Sequence, residues 1–299
     1  MSYRTLLLIV LAVPTLLLGG AALLGQTIPV PHWGRGYVLH FAFDEAAAPI
    51  DLPSIAGPDD PTRPLVVIDA GHGGRDPGAV GTDAQGRRVE EKAITLALAL
   101  ALRDELLRGG GIRVALTRDD DRILPLAHRP EIARQLNADL FLSIHADSAG
   151  ERDDVSGASI YTLSSEASSE AAARFAAREN DADRLNGIAI DGASEEVSAI
   201  LVELSQQRTQ EQALAFAGLI LREGEQRLAF IPQPRRSAAL AVLRAPDVPS
   251  ALFESGFVTN RADRARLTTA EGRAQYAAVL ARAIRVYFVR NGGTAVGGE

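Results

Sequence analysis

Four consecutive aliphatic residues, Leu65 to Ile68, run straight into the stretch DAGHGG, which ends at Gly74. The run is short, three of its four side chains are β-branched, and glycines close it, so it reads as a strand buried on both faces rather than as one stripe of a helix. Strands of that kind belong to sheets covered by helices on both sides. A second apolar run, Leu140 to Ile144 in ADLFLSIHAD, ends in His145 much as the first leads into His72. Parallel pairing of the two would bring both imidazoles out at the carboxyl edge of the sheet, where sites gather in open α/β folds. A lone histidine in a tight turn usually does no more than bond to nearby backbone; a pair of them from neighbouring strand ends is a plausible start to a metal site.

The remaining pattern supports that class. After Pro64 the chain reads as strand 65–70, helix about 91–108, strand 112–117, helix about 127–137, and strands 139–146 and 157–163. Residues 165–228 are rich in strong helix formers, are broken by Gly187 and Gly192 into at least two helices, and look inserted between strands. Sheet-like runs resume at LAVLRA (240–245) and SALFESGF (250–257), and a closing helix of about 270–289 sets Tyr276, Leu280, Ile284 and Tyr287 at helical spacing. This alternation is α/β with a mixed or largely parallel sheet. The glycine-rich tail, 291–299, is expected to be disordered.

Upstream, Thr5 to Trp33 carries no charged residue and follows a single arginine, Arg4. Residues 1–26 therefore read as an export signal, with Pro14 and the small residues near Gly19 to Ala22 favouring cleavage over retention as a membrane anchor. Residues 27–63 hold six prolines and one strand-like patch, YVLHFAF, and read as a linker. A net charge of −7 without a basic run argues against a nucleic-acid partner. Cysteine is absent, so there is no disulfide framework and no lipid-bearing thiol, and any metal must be held by nitrogen and oxygen.

A catalytic zinc site usually takes three protein ligands and keeps one position open. GRRVEEKAITLALAL offers Glu90 and Glu91 at a helix start, although acidic residues there also stabilise the helix through its dipole. Lys92, the sole lysine of the chain, stands beside them. Spacing alone leaves the two glutamates open. Glu254 interrupts the apolar run of SALFESGF, a costly position unless it is paired or functional, and so is the candidate general base. His128 suits a helix start, and His32 and His40 lie in the linker.

Taken together, VVIDAGHGGRDPGAVG, EEKAITLALAL, ALTRDDD, ADLFLSIHAD and VLRAPDVPSALFESGFVTN resemble the zinc-dependent N-acetylmuramoyl-L-alanine amidases, in the family's order from Leu65 to about Phe288. The resemblance implies a single catalytic domain (64–290) with a twisted mixed six-stranded sheet flanked by helices. It implies one zinc held by His72, Glu91 and His145, and Glu254 as catalytic base. The implied reaction is cleavage of the amide between N-acetylmuramic acid and L-alanine in peptidoglycan, for wall remodelling or daughter-cell separation. Asp147, Phe253 and Ser255 depart from the common pattern. No HExxH helix is present, which excludes a thermolysin-like arrangement. Residues 27–63 are too few for the separate β-domain that many envelope members carry.

The helical insert resembles that of division amidases in which a helix plugs the zinc site until an activator displaces it. Glu179 and Glu203 are the candidate plugging side chains. The implied partners are peptidoglycan and an activator with a LytM domain, the implied location is the periplasm or cell envelope, and membrane contact is limited to an uncleaved N-terminal segment. The alternatives are a zinc carboxypeptidase on wall peptides and a non-catalytic wall-binding regulator.

Overall fold

A computed structural model describes residues 50–150, 152–186 and 199–292, with the side chains of 185, 199–206 and 292 set aside. The export segment, the YVLHFAF patch, Gly187, Gly192 and the end of the tail lie outside the described residues.

Leu65–Ala70 (β1) is buried at every position, as its unbroken apolar run requires. A small hairpin follows, Val80–Thr82 (β2) with Arg88–Glu90 (β3), and delivers the chain to the helix Glu91–Gly109 (α1). Then come Arg113–Leu116 (β4), His128–Gln135 (α2), Leu140–Asp147 (β5) and Ala158–Leu163 (β6). The insert holds Glu170–Asn180 (α3), Ala182–Leu185 (α4) and Ala199–Gly224 (α5). Phe230–Ala238 (β7), Ser250–Phe257 (β8), Arg261–Thr268 (α6) and Ala270–Gly292 (α7) complete the chain. Among the described residues no helix is long and apolar enough to cross a membrane.

The main sheet has six strands in the order β4-β1-β5-β8-β6-β7. β4, β1, β5 and β8 are mutually parallel, whereas β6 runs antiparallel to β8 and parallel to β7. The expected mixed sheet is therefore present, and so is the helical insertion. Because side chains alternate across a strand, Val66, Ile68, Leu142, Ile144 and Phe253 face one way, onto Leu98, Leu102, Phe216, Leu280 and Ile284 of α1, α5 and α7. Val67, Phe141, Leu252 and Tyr161 face the other way, onto Ile132 of α2, Phe175 of α3 and Val242. Each such fully buried side chain contributes about 1.5–3 kcal/mol. On this second face the same alternation carries Asp69, Ser143, His145, Glu254 and Ser159, all buried, and these polar positions set the site.

One strand differs from expectation. LAVLRA is not sheet: Ala241–Leu243 is a 3₁₀ turn whose Val242 and Leu243 plug the second core. The final strand pairing on β6 is made instead by Phe230–Ala238. Pro232 and Pro234 argue against that segment as an interior strand, and proline is tolerated only where β7 lies, at the sheet's edge.

Candidate metal centre

Parallel pairing of β1 and β5, with Ala70 opposite Ile144, places the turn after β1 against His145. The His72 ring donates from Nδ1 to Asp76 Oδ2 at 2.7 Å, which turns Nε2 inward. That nitrogen is buried and has no hydrogen-bond partner, yet Glu91 Oε1 lies 3.0 Å and Glu179 Oε2 3.5 Å from it. The same two carboxylate oxygens each lie 3.2 Å from His145 Nδ1. Glu91 is fixed from both ends, its Oε1 accepting from Ala146 N at 2.8 Å and its Oε2 from Ala79 N at 2.7 Å.

Each imidazole nitrogen thus lies close to both carboxylate oxygens, at 3.0 and 3.5 Å for His72 and at 3.2 Å twice for His145. A tetrahedral site with bonds of roughly 2.0–2.1 Å has edges of about 3.3–3.4 Å, and these nitrogen–oxygen separations are of that size, so the nitrogen and oxygen donors suit a divalent ion. His72, His145 and Glu179 are the described groups whose ligand atoms all fall within 4.8 Å of one another; Glu91 comes as close to both imidazoles while also holding two backbone amides.

Charge points the same way. Burial would lower the His72 pKa, but the charges of the Glu91 and Glu179 carboxylates and the hydrogen bond to Asp76 raise it to about 9. His145 is likewise raised against its burial by Glu179 and Glu91. Both carboxylates are held low against theirs, chiefly by the two imidazoles. A dication placed here would meet ionised carboxylates and require neutral imidazoles.

Glu254, beside His145 in the β5–β8 register and opposite Ser159 on β6, is 1% exposed. Neither of its carboxyl oxygens has a hydrogen-bond partner. Burial first, and the Asp147 charge next, push its pKa well above the usual range. Two of the three departures read from the sequence spare this centre: Ser255 Oγ donates to the His145 carbonyl at 2.7 Å, and Phe253 packs edge-on against Tyr276 in the other core; the third, Asp147, lies close enough to act on Glu254.

The structure thus separates the two adjacent glutamates. Glu90 turns out to Arg88 at 2.8 Å, whereas Glu91 turns in. Lys92 does not serve the centre directly: its ammonium donates to the Gly74 carbonyl at 2.8 Å and pairs with Asp121 at 2.7 Å, pinning the glycine turn. Glu179, one of two candidates in the insert, sits at the centre; the side chain of Glu203 lies outside those described. Asp76 was missed. An acid four residues after the histidine was the available signal, but in a loop such spacing has no fixed meaning. Arg178, also missed, donates to Asp147 Oδ1 at 2.7 Å and to Glu179 Oε1 at 3.1 Å, tying α3 down. A void of about 20 Å³ lies between His72, His145, Glu179 and Val242, and a wider one of about 300 Å³, lined by His72, Asp76, Arg178 and Glu179, adjoins the centre on the side of Gly78 and Ser148.

The glycines of the opening turn are explained by crowding. A Cβ on Gly71 would overlap the His145 ring, and one on Gly78, whose φ is +64°, would come within 2.6 Å of both Glu91 Oε2 and His72 Cδ2. Gly71→Ala is therefore expected to weaken divalent-metal binding by about 10- to 100-fold while the chain still melts cooperatively. Metal titration alongside a thermal melt checks this, and unchanged affinity would contradict it.

The family model described as N-acetylmuramoyl-L-alanine amidase matches residues 66–286. The N-acetylmuramoyl-L-alanine amidase AmiA of Escherichia coli K12 is 36% identical over 225 residues, which span 75% of this chain and 76% of that protein. Among solved structures, the amidase AmiC2 of Nostoc punctiforme superposes with a TM-score of 0.52 at 30% identity, covering 75% of this chain and 97% of that one. The catalytic domain of the amidase CwlV from Bacillus (Paenibacillus) polymyxa gives 0.52 at 26% identity, with coverage of 75% and 98%.

Proposed function

The chain belongs to the N-acetylmuramoyl-L-alanine amidase family, and from that premise we propose how its buried centre works and is controlled. It hydrolyses the amide that joins N-acetylmuramic acid to L-alanine in peptidoglycan, acting in cell-wall remodelling. The metal is zinc, with His72, Glu91 and His145 as its protein ligands in the working enzyme. The observation that carries this reading is the unpartnered His72 Nε2, buried within 3.0–3.5 Å of two carboxylates. Two imidazole nitrogens within 3.0–3.5 Å of carboxylate oxygens suit zinc in a thiol-free site.

Zinc, when bound, supplies a Lewis acid and a water of lowered pKa. The chain's own groups do the rest. Asp76 fixes the His72 ring through Nδ1, which leaves Nε2 as the ligand atom. Glu254 takes a proton from the attacking water and returns it to the leaving nitrogen of L-alanine. The high proton affinity that burial and Asp147 give Glu254 suits a group that must hold that proton between the two steps.

Glu179 takes the position that the working site leaves open, so α3 holds the enzyme closed at rest. Support comes from its distances to His145 and His72 and from the Arg178 contacts. Opening then requires a partner that lifts α3, for which an activator with a LytM domain is the candidate. Residues 1–26 act as the export signal, 27–63 as linker and 64–290 as the catalytic domain, placing the enzyme in the periplasm, where its substrate lies.

Chelator treatment followed by zinc is the direct test of the metal. Amide cleavage of purified peptidoglycan is expected to fall to background on chelation and to return with one zinc per chain, releasing stem peptides with a free L-alanine amine. Free C-terminal amino acids in their place would identify a carboxypeptidase. Zinc binding without any cleavage, even with α3 removed, would identify a wall-binding regulator.

A further inference from the structure

The turn that presents His72 has a backbone problem. His72 adopts a left-handed conformation, φ 62°, shared among the described non-glycine residues only by Asn137. Such a conformation carries a steric penalty for a side chain with a Cβ, and it persists only where the surroundings over-determine it. Here the surroundings are two buried guanidinium groups. Arg129 donates from Nη1 to the Ala70 carbonyl and from Nη2 to the His72 carbonyl, both at 2.9 Å. Arg118 donates from Nε to the Ala70 carbonyl and from Nη2 to the Gly71 carbonyl, both at 2.8 Å. Three successive carbonyls are thereby held from below.

Arg129 is also anchored. Its Nη1 lies 2.9 Å from Asp69 Oδ1, and Asp69 accepts from Thr117 Oγ1 and from Ser143 Oγ at 2.6 Å each. Asp69 is wholly buried and Arg129 only 4% exposed. A buried carboxylate with its guanidinium is costly to desolvate and is weak evidence for stability. Nothing in the hydrolytic step uses either group. What the pair does is fix the main chain of His72, one of the two residues whose rings face the centre.

We infer that Arg129, anchored by Asp69, is a positioning residue for metal binding: it sets the main chain of His72 while Asp76 sets its ring. This rests on the reading of His72 as a zinc ligand. Arginine is required because its planar fork serves the Asp69 carboxylate and the Ala70, His72 and Leu124 carbonyls at once, which the point charge of lysine cannot do.

The experiment measures zinc affinity by competition with a fluorescent chelator, and thermal stability of the metal-free protein, on the full chain. Arg129→Lys is expected to weaken zinc binding by about 10- to 100-fold. Asp69→Asn, which keeps the size of the anchor, guards against a folding failure in the first variant and is expected to lose about tenfold. Ile132→Val, on the same helix but apolar, serves as the stability control. The inference is upheld if both polar variants lose more affinity than the control at a comparable fall in melting temperature. It is overturned if they bind zinc as the wild type does, or lose no more than the control. A wild type that takes up no zinc would defeat the metal reading itself, and this inference with it.

Discussion

Glu254→Gln is expected to lower amide cleavage by roughly 10²- to 10⁴-fold, the usual contribution of a positioned general acid–base group, with zinc content unchanged. The substitution keeps size and shape and removes only the capacity to take and return a proton. Glu254 accepts no hydrogen bond from the protein, so no partner is stranded by the change. Burial and Asp147 already favour the uncharged form of this carboxyl, and its amide is likewise uncharged, so the variant should be about as stable as the wild type. Loss of activity together with equal stability is a signature that a structural carboxylate would not give. Cleavage within threefold of wild type would remove Glu254 from the mechanism.

Glu179→Ala should move activity the other way. The Glu179 carboxylate contacts His72, His145 and Arg178, and charge-assisted contacts of this kind contribute about 1.5–3 kcal/mol. If they hold α3 closed, their loss shifts the closed-to-open balance by about ten- to a hundredfold, and basal cleavage rises by up to that factor. The remaining ties, Arg178 with Asp147 at 2.7 Å and Phe175 stacked on Tyr161 at 4.5 Å, limit the gain. Removing Arg178 as well should extend it. A variant that loses stability and gains no activity would make Glu179 a structural partner of the histidines and would leave the resting site without a plug.

Much of this centre was legible in the chain. Two apolar runs, each joined to a histidine, announced parallel strands and a shared edge, because burial on both faces leaves no other pattern for a short aliphatic run. Glu254 was conspicuous because a carboxyl in an apolar strand has no inexpensive structural excuse. The edge strand was hidden by its prolines, and LAVLRA looked like sheet because an apolar run of six has no period of its own. Between Glu90 and Glu91 only the resemblance decided, since both sit at a helix start where either would be favourable.

What the sequence determined by itself, then, were features set within a few residues: strand and helix types, the identity of the imidazoles and the carboxylate in the β8 run, and the glycines that leave them space. The tertiary structure alone decided which acids meet them. Glu179 reaches His145 because α3 docks on the second face of the sheet, and Arg129 reaches His72 across 57 residues of sequence. Local patterns record which way a side chain leaves its own strand or helix; which groups converge depends on strand register and helix docking, and these follow from the summed packing of both cores.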